Sequence, residues 1–227
     1  MDKQTLEMAI DFSGPYVNLA LAKSDSGEIV ATASKLMQRR EASAITDFIV
    51  QLFKDKNLSL ENVGKFTVGS GPGSFTGMRI AAAWVSGFTF GKNDVVCRTV
   101  PSAFAVAESA AIQEGENACI IFDGRNREVI IFGVSRKNGE LIATGLEEIL
   151  NQDQAEKFFA ENSFSKYLCL EYDLAAIKLI VPAALDSKLS SFEQIEAIHL
   201  LQNKTKNFDN DLTGLYYIRP SVVTANK

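Results

Sequence analysis

The stretch at residues 69–91, GSGPGSFTGMRIAAAWVSGFTFG, limits what this chain can fold into more than any other. A short strand-like run at 65–68 precedes it and an apolar helical segment follows at 80–90, so its glycines must form a strand-to-helix turn. Gly71, Gly73 and Gly77 permit positive φ and close backbone approach, and Ser74 or Thr76 can cap the helix through a hydroxyl. Two uses fit this layout. The free N–H groups at the helix start can cradle an anion such as phosphate, or the glycines simply let the helix pack close to a sheet. The helix is itself unusual, because from 78 to 90 its only charge is Arg79. A helix apolar nearly all round needs cover on two sides, one from its own sheet and one from a second helix or a partner. Ala83, Gly87 and Gly91 form a small-residue stripe four apart, with Trp84 and Phe88 on the adjacent stripe.

The remaining chain is long enough at 227 residues, and apolar enough at 46%, for one large domain or two small ones. Its opening residues lack a basic start with a long apolar run, and no uncharged apolar stretch reaches spanning length, which predicts a cytoplasmic protein without membrane contact. Cys97, Cys119 and Cys169 are odd in number and sit among strand-type residues, as expected of buried reduced thiols. The net charge of −5 with scattered basic residues argues against a direct grip on nucleic acid, where phosphate neutralisation dominates affinity. His199 is the single histidine and lies at helical spacing with Ile195 and Ile198, so a histidine-cluster metal site is excluded and a Ser-His-Asp triad is disfavoured.

Read in order, the first half predicts strands at 6–10, 16–22 and 28–33 as a meander, an amphipathic helix at 41–56, a strand at 94–100 and a helix at 103–113. A boundary between halves falls near 100, giving domains 1–100 and 101–227. The second half repeats the opening: residues 10–33 align without a gap over 122–145, placing Asp11 on Asp123, Val17 on Val129 and Gly27 on Gly139. That is the pattern of a duplicated unit with the same meander. Beyond it, 147–160 reads as one broken helix, 166–170 and 177–181 as short strands, and 191–203 as a final amphipathic helix that can pack back on the first lobe.

The motif GPGSFTGMRIA at 71–81, following a strand and opening an apolar helix, resembles the signature of the bacterial TsaB family, usually GPGSFTGLRIG. Asp123-Gly124-Arg125 and Glu128-Val129 resemble the family's DARRGEVY segment, with Gly124 for Ala and Ile130 for Tyr, and the tail at 215–220 resembles its closing YLR. The resemblance implies an α/β fold of two RNase H-like lobes, as in actin, hexokinase and chaperone ATPases, each with a mixed sheet and flanking helices and the second reduced. It implies a non-catalytic subunit that supports the catalytic TsaD subunit, together with TsaE, in making threonylcarbamoyladenosine in tRNA. The chain would touch tRNA only indirectly and would dimerise with itself when alone. TsaD-type subunits carry an HxxxH metal motif after the equivalent helix, whereas residues 99–106 here hold no His, Asp or Glu. The partner surface is expected on helices 41–56 and 75–91, at Ile45, Ile49, Met78, Arg79, Ala82, Ala83, Trp84, Val85, Gly87 and Phe88. Phosphate-facing positions would be Asp11, Ser13, Gly71, Gly73, Ser74, Thr76 and Gly77. The family's DTST at the first turn is DFSG here, which weakens nucleotide binding there. No cofactor is expected on this chain alone, with a nucleotide at the interface with the partner left open. Two alternatives stand beside this reading: a small phosphotransferase holding ATP between Asp11 and the glycine turn, and a homodimeric binding module unrelated to tRNA.

Overall fold

The computed structural model describes residues 5–37 and 44–216. The first meander forms as its alternation requires: β1 (Leu6–Asp11), β2 (Tyr16–Lys23) and β3 (Ile29–Leu36) pair antiparallel, with Met8 opposite Leu21 and Ile10 opposite Leu19. Helix α1 (Ala44–Asp55) leads to β4 (Val63–Gly69), α2 (Phe75–Thr89) and β5 (Val96–Val100), and both added strands run parallel to β1. The sheet order is β3-β2-β1-β4-β5. Helix α3 (Ser102–Ser109) then crosses to the second half.

The second half repeats this plan element by element. Strands β6 (Asn117–Arg125), β7 (Glu128–Lys137) and β8 (Glu140–Asn151) form the meander, followed by α4 (Gln152–Glu161), β9 (Lys166–Leu170), α5 (Glu171–Ile177), β10 (Leu189–Phe192) and α6 (Ala197–Gln202). The order β10-β9-β6-β7-β8, with β9 and β10 parallel to β6, mirrors the first sheet. Each sheet, an antiparallel meander extended by two parallel strands, has the order of an RNase H-like lobe. The reduction of the second falls on its helices, since α5 has 7 residues where α2 has 15.

Three corrections arise here. Residues 147–151 continue β8 instead of starting a helix, because the Asn151 side chain accepts from Gln154 N and the Gln154 side chain from Asn151 N, a capping box that fixes the helix start at 152. Residues 177–181 are the end of α5 and the turn after it: Ile177, Ile180 and Val181 are all buried, at helical rather than strand spacing. The final helix is shorter than expected, with 189–192 drawn into β10 by pairing to β9. Residues 217–220 of the closing motif lie outside the described residues.

One face of the first sheet, with Met8, Ile10, Leu19, Leu21, Phe66 and Val68, packs under α1 and α2. The opposite face, at Ala9 and Ala20, shares a core with α3, α6 and second-sheet residues such as Ile120, Phe122 and Phe132. Thus α3, which follows the first sheet, packs on the second, and α6, which follows the second, packs on the first. Buried Arg98 on β5 ties the exchange down. Its guanidinium donates to Leu200 O and Leu201 O at the end of α6, to Lys206 O and to Thr67 Oγ1, satisfying orphan carbonyls of the helix C-terminus.

Candidate functional site: the glycine turn and the outer face of α2

The turn between β4 and α2 is held from three sides. Asp11, at the end of β1 and wholly buried, accepts Ser13 N and Ser13 Oγ on Oδ1, each at 2.9 Å, and Ser102 Oγ on Oδ2. Ser102, at the start of α3, also accepts Gly71 N at 2.9 Å and donates its own N–H to Gly71 O at 2.8 Å. Burial pushes the Asp11 carboxyl up from its ordinary value, against the pull of the Ser102 and Ser13 hydrogen bonds.

The backbone of the first hairpin lies directly on the glycines. Ser74 N donates to Ser13 O at 2.5 Å, while a Cβ at Gly73 would collide with that same carbonyl and one at Gly77 with Phe12 O. Ser74 is the helix cap, accepting Gly77 N at 3.2 Å, and Thr76 sits exposed on the first turn. Of the two uses open from sequence, close packing is therefore what the glycines serve. The Ser13 carbonyl takes the Ser74 N–H, the first free donor of the helix start.

A nucleotide between the lobes, as in actin-like ATPases, does not fit these residues. The Asp11 carboxylate is filled by three donors from its own chain. The other side of the hairpin is closed by Tyr172 at the start of α5, whose hydroxyl packs so tightly on Gly14 that a Cβ there would run into it, and whose ring lies 6.3 Å from that of Tyr16. Burial also pushes the Tyr172 hydroxyl up. Neither Ser102 nor Tyr172 was singled out from sequence. Ser102 carried a signal as the first residue after a helix-starting Pro101, and Tyr172 carried none.

The expected partner surface divides in two. Ile45 and Ile49 on α1 and Met78, Ala82 and Val85 on α2 are turned into this chain's own interior, with at most 8% exposure at Ala82, so the open part of the expected surface lies elsewhere on α2. An amphipathic helix spends its most regular apolar stripe on its own sheet. Trp84 and Phe88 are half-buried and stacked, with ring centroids 5.8 Å apart and planes 5° from parallel, against Phe66 of β4. Trp84 Nε1 reaches Thr46 Oγ1 at 3.2 Å, joining α2 to α1. Thr76, Arg79, Ala83, Ser86, Gly87 and Phe90 form the solvent-facing stripe, with nothing within 4 Å of a Cβ built at Gly87 and Phe90 89% exposed. Arg79 lies over the Phe75 ring at 3.8 Å, leaving the rest of this stripe uncharged.

Among the described residues, no group of three or more His, Cys, Asp or Glu side chains is placed to hold a metal ion, and no helix is long and apolar enough to cross a membrane. His199 is half-buried on α6, its Nδ1 3.3 Å from Gln202 Oε1.

Comparison with known proteins fits this geometry. The tRNA threonylcarbamoyladenosine biosynthesis protein TsaB of Haemophilus influenzae is 31% identical over 105 residues, 46% of this chain and 44% of that protein, so the match spans less than half of the relative's length. YeaZ from Pseudomonas aeruginosa shares the fold with a TM-score of 0.69 over 87% of this chain and 89% of that one, at 22% identity. A second structure, described as an uncharacterized protein with similarity to peptidase YEAZ from Pseudomonas aeruginosa, gives 0.67 over 88% and 89% at 22% identity. The family model that matches residues 30–182 runs from β3 across the glycine turn to the end of α5, and by that match the chain belongs to the TsaD family, described as tRNA N6-adenosine threonylcarbamoyltransferase.

Proposed function

We propose that this chain is a non-catalytic subunit in the biosynthesis of threonylcarbamoyladenosine in tRNA, docking on a TsaD-type catalytic subunit, with TsaE in the same assembly, through the outer face of α2. The observation that carries this is the stripe Thr76, Ala83, Ser86, Gly87 and Phe90. It is an open, small-residue helix face with an exposed aromatic at its end, on a helix whose opposite face is already buried. Small residues let a second helix approach closely, and an exposed apolar stripe of this kind marks a partner site. Self-association of the chain through the same stripe follows when the partner is absent.

In this reading the glycine turn serves recognition indirectly. It sets the angle at which α2 leaves the sheet, with Asp11 and Ser102 as its clasp. The residues between the lobes hold no nucleotide in this chain alone, and a nucleotide in the assembly belongs at its interface with the partner. The test is light scattering on the chain alone and mixed with the TsaD-type subunit. The expected result is a self-dimer that exchanges into a mixed complex, and loss of both on Gly87→Trp with unchanged circular dichroism. Pairing at wild-type affinity in Gly87→Trp overturns the reading, because a Cβ at Gly87 has nothing of its own chain within 4 Å.

A further inference from the structure

The second lobe carries an open cleft of about 670 Å³ away from the α2 stripe, between the β6–β7 turn, the start of α4 and the end of α5. That volume lies in the range of small-molecule sites. Its apolar floor is Ala176, Leu179 and Ile180, and Leu179 is 74% exposed, which is unusual for a large aliphatic side chain. One wall is the turn Arg125-Asn126-Arg127, in which all three residues take positive φ, at 62°, 50° and 61°. L side chains avoid this region, and arginine has none of the local hydrogen bonding that lets Asn enter it. Asn126 and Arg127 are the two-residue loop of the β6–β7 hairpin, a turn that takes positive φ at both central positions, so arginine rather than glycine stands at the second of them.

Arg125 and Arg127 both line the cleft, beside the carboxyl groups of Asp123, Glu128 and Asp153. Arg125 is fixed there by Asp123, whose Oδ1 accepts Arg125 N at 2.8 Å and whose Oδ2 lies 2.7 Å from Nη1. One carboxylate thus holds both the backbone and the head group of Arg125, and the fork keeps further donors for a ligand. The opposite wall supplies the amide of Gln152 on the first turn of α4. The equivalent place in the first lobe is not open: Phe12 packs into the core under α1 and α2, and Tyr172 covers Gly14. The fold itself therefore does not require this cleft.

We propose that this cleft binds one nucleoside monophosphate unit, its phosphate on Arg125 and Arg127 and its base on Leu179 and Ile180. An apolar floor takes a flat ring, and guanidinium groups take a phosphate in bidentate fashion. Asp153 at the same mouth and the net charge of −5 oppose a long polyanion, which restricts the ligand to a single unit. The unit comes either from a free mononucleotide or from one unpaired position of an RNA strand. The inference does not depend on the α2 partner surface, which is read out separately by light scattering.

The experiment is calorimetric titration of the full chain with adenosine monophosphate, with single-stranded RNA of about six nucleotides, and with inorganic phosphate. The expected result is saturable binding of the monophosphate, weakened by about tenfold or more in Leu179→Asp and in Arg127→Gly. Arg127→Gly is the decisive variant. Glycine relieves the backbone at that position, so its melting temperature holds or rises while binding falls, which a structural role for Arg127 does not give. RNA that competes with the monophosphate and binds tighter assigns the strand as source, and monophosphate binding alone assigns the free nucleotide. The proposal is overturned if neither ligand saturates below about 5 mM, if inorganic phosphate binds as tightly as the monophosphate, or if Arg127→Gly leaves affinity unchanged.

Discussion

The two lobes end their first strands alike and finish differently. Asp11 and Asp123 stand at equivalent positions, and each accepts the backbone N–H two residues on, at 2.9 and 2.8 Å. Asp11 is then sealed, with hydroxyls from Ser13 and Ser102 on its carboxylate and no exposure, whereas Asp123, its side chain 12% exposed, pairs with an arginine that is 81% exposed. The difference follows from what comes after each second parallel connection. A long α2 entered through glycines brings its turn down onto the first hairpin, while α5 starts directly from β9 and meets the second hairpin through Asp173, which accepts Asp123 N. One duplicated plan thus yields a closed corner that orients a helix and an open corner that can receive a ligand.

If that contrast is right, Asp11→Ala should destabilise the chain by about 2–4 kcal/mol in urea unfolding, because it strands two buried hydroxyls and an N–H. Asp123→Ala, breaking one turn hydrogen bond and an ion pair whose arginine is 81% exposed, should cost about 0.5–1.5 kcal/mol. Equal losses would erase the distinction. Gly77→Ala should rank close to Asp11→Ala, at about 3 kcal/mol, since its Cβ meets the Phe12 carbonyl and backbone cannot swing away as a side chain can. A mild effect there would mean the closed corner is looser than its hydrogen bonds indicate.

The open corner has its own pH signature. Asp173, on the first turn of α5, is pushed up to about 6, chiefly by burial and further by the Asp123 charge, against the hydrogen bond from Asp123 N and the nearby Arg125. A carboxyl raised on folding contributes stability that is full below its unfolded value near 3.8 and lost as pH rises through about 6. The wild type should therefore lose stability between about pH 4 and 7, by on the order of 1–3 kcal/mol, relative to Asp173→Asn. Thermal melts across that range check it, and parallel curves for the two proteins would sink it. The smallest expected effect concerns the thiols. Cys169 is pushed up to about 12 by burial, and Cys119 and Cys97 are raised as well, so all three should resist alkylation at neutral pH until the chain is unfolded. Rapid labelling of Cys97 alone would show that the first sheet breathes where the second does not.

Much of this contrast was legible in the residues. The gapless alignment that puts Asp11 on Asp123 announced two meanders of one plan, because strand alternation and Gly turns are local properties. The glycine turn was legible for the same reason, with its cap narrowed to Ser74 or Thr76 and the choice of Ser74 made by the structure. What stayed hidden depends on contacts distant in sequence. Nothing near residue 172 says that its ring will cover Gly14, and nothing near Ile45 or Val85 says which apolar stripe the sheet will claim first. The misread end of β8 is a different failure. Leu146, Ile149 and Leu150 carry helical spacing, but Leu150 pairs with Val129 in the sheet, and the Asn151 and Gln154 capping signal just beyond marks where the helix begins.

The exchange of α3 and α6 between lobes has a consequence for how the chain is made. During synthesis the first sheet is complete once β5 has emerged, yet the face at Ala9 and Ala20 waits for a helix encoded about a hundred residues later. Throughout that interval the nascent first lobe carries an unroofed apolar surface, the kind of site that holding chaperones at the ribosome exit recognise. Cutting the gene between its two repeats would therefore release two halves that each lack a roof and present the other's, and only their co-expression would return a soluble protein.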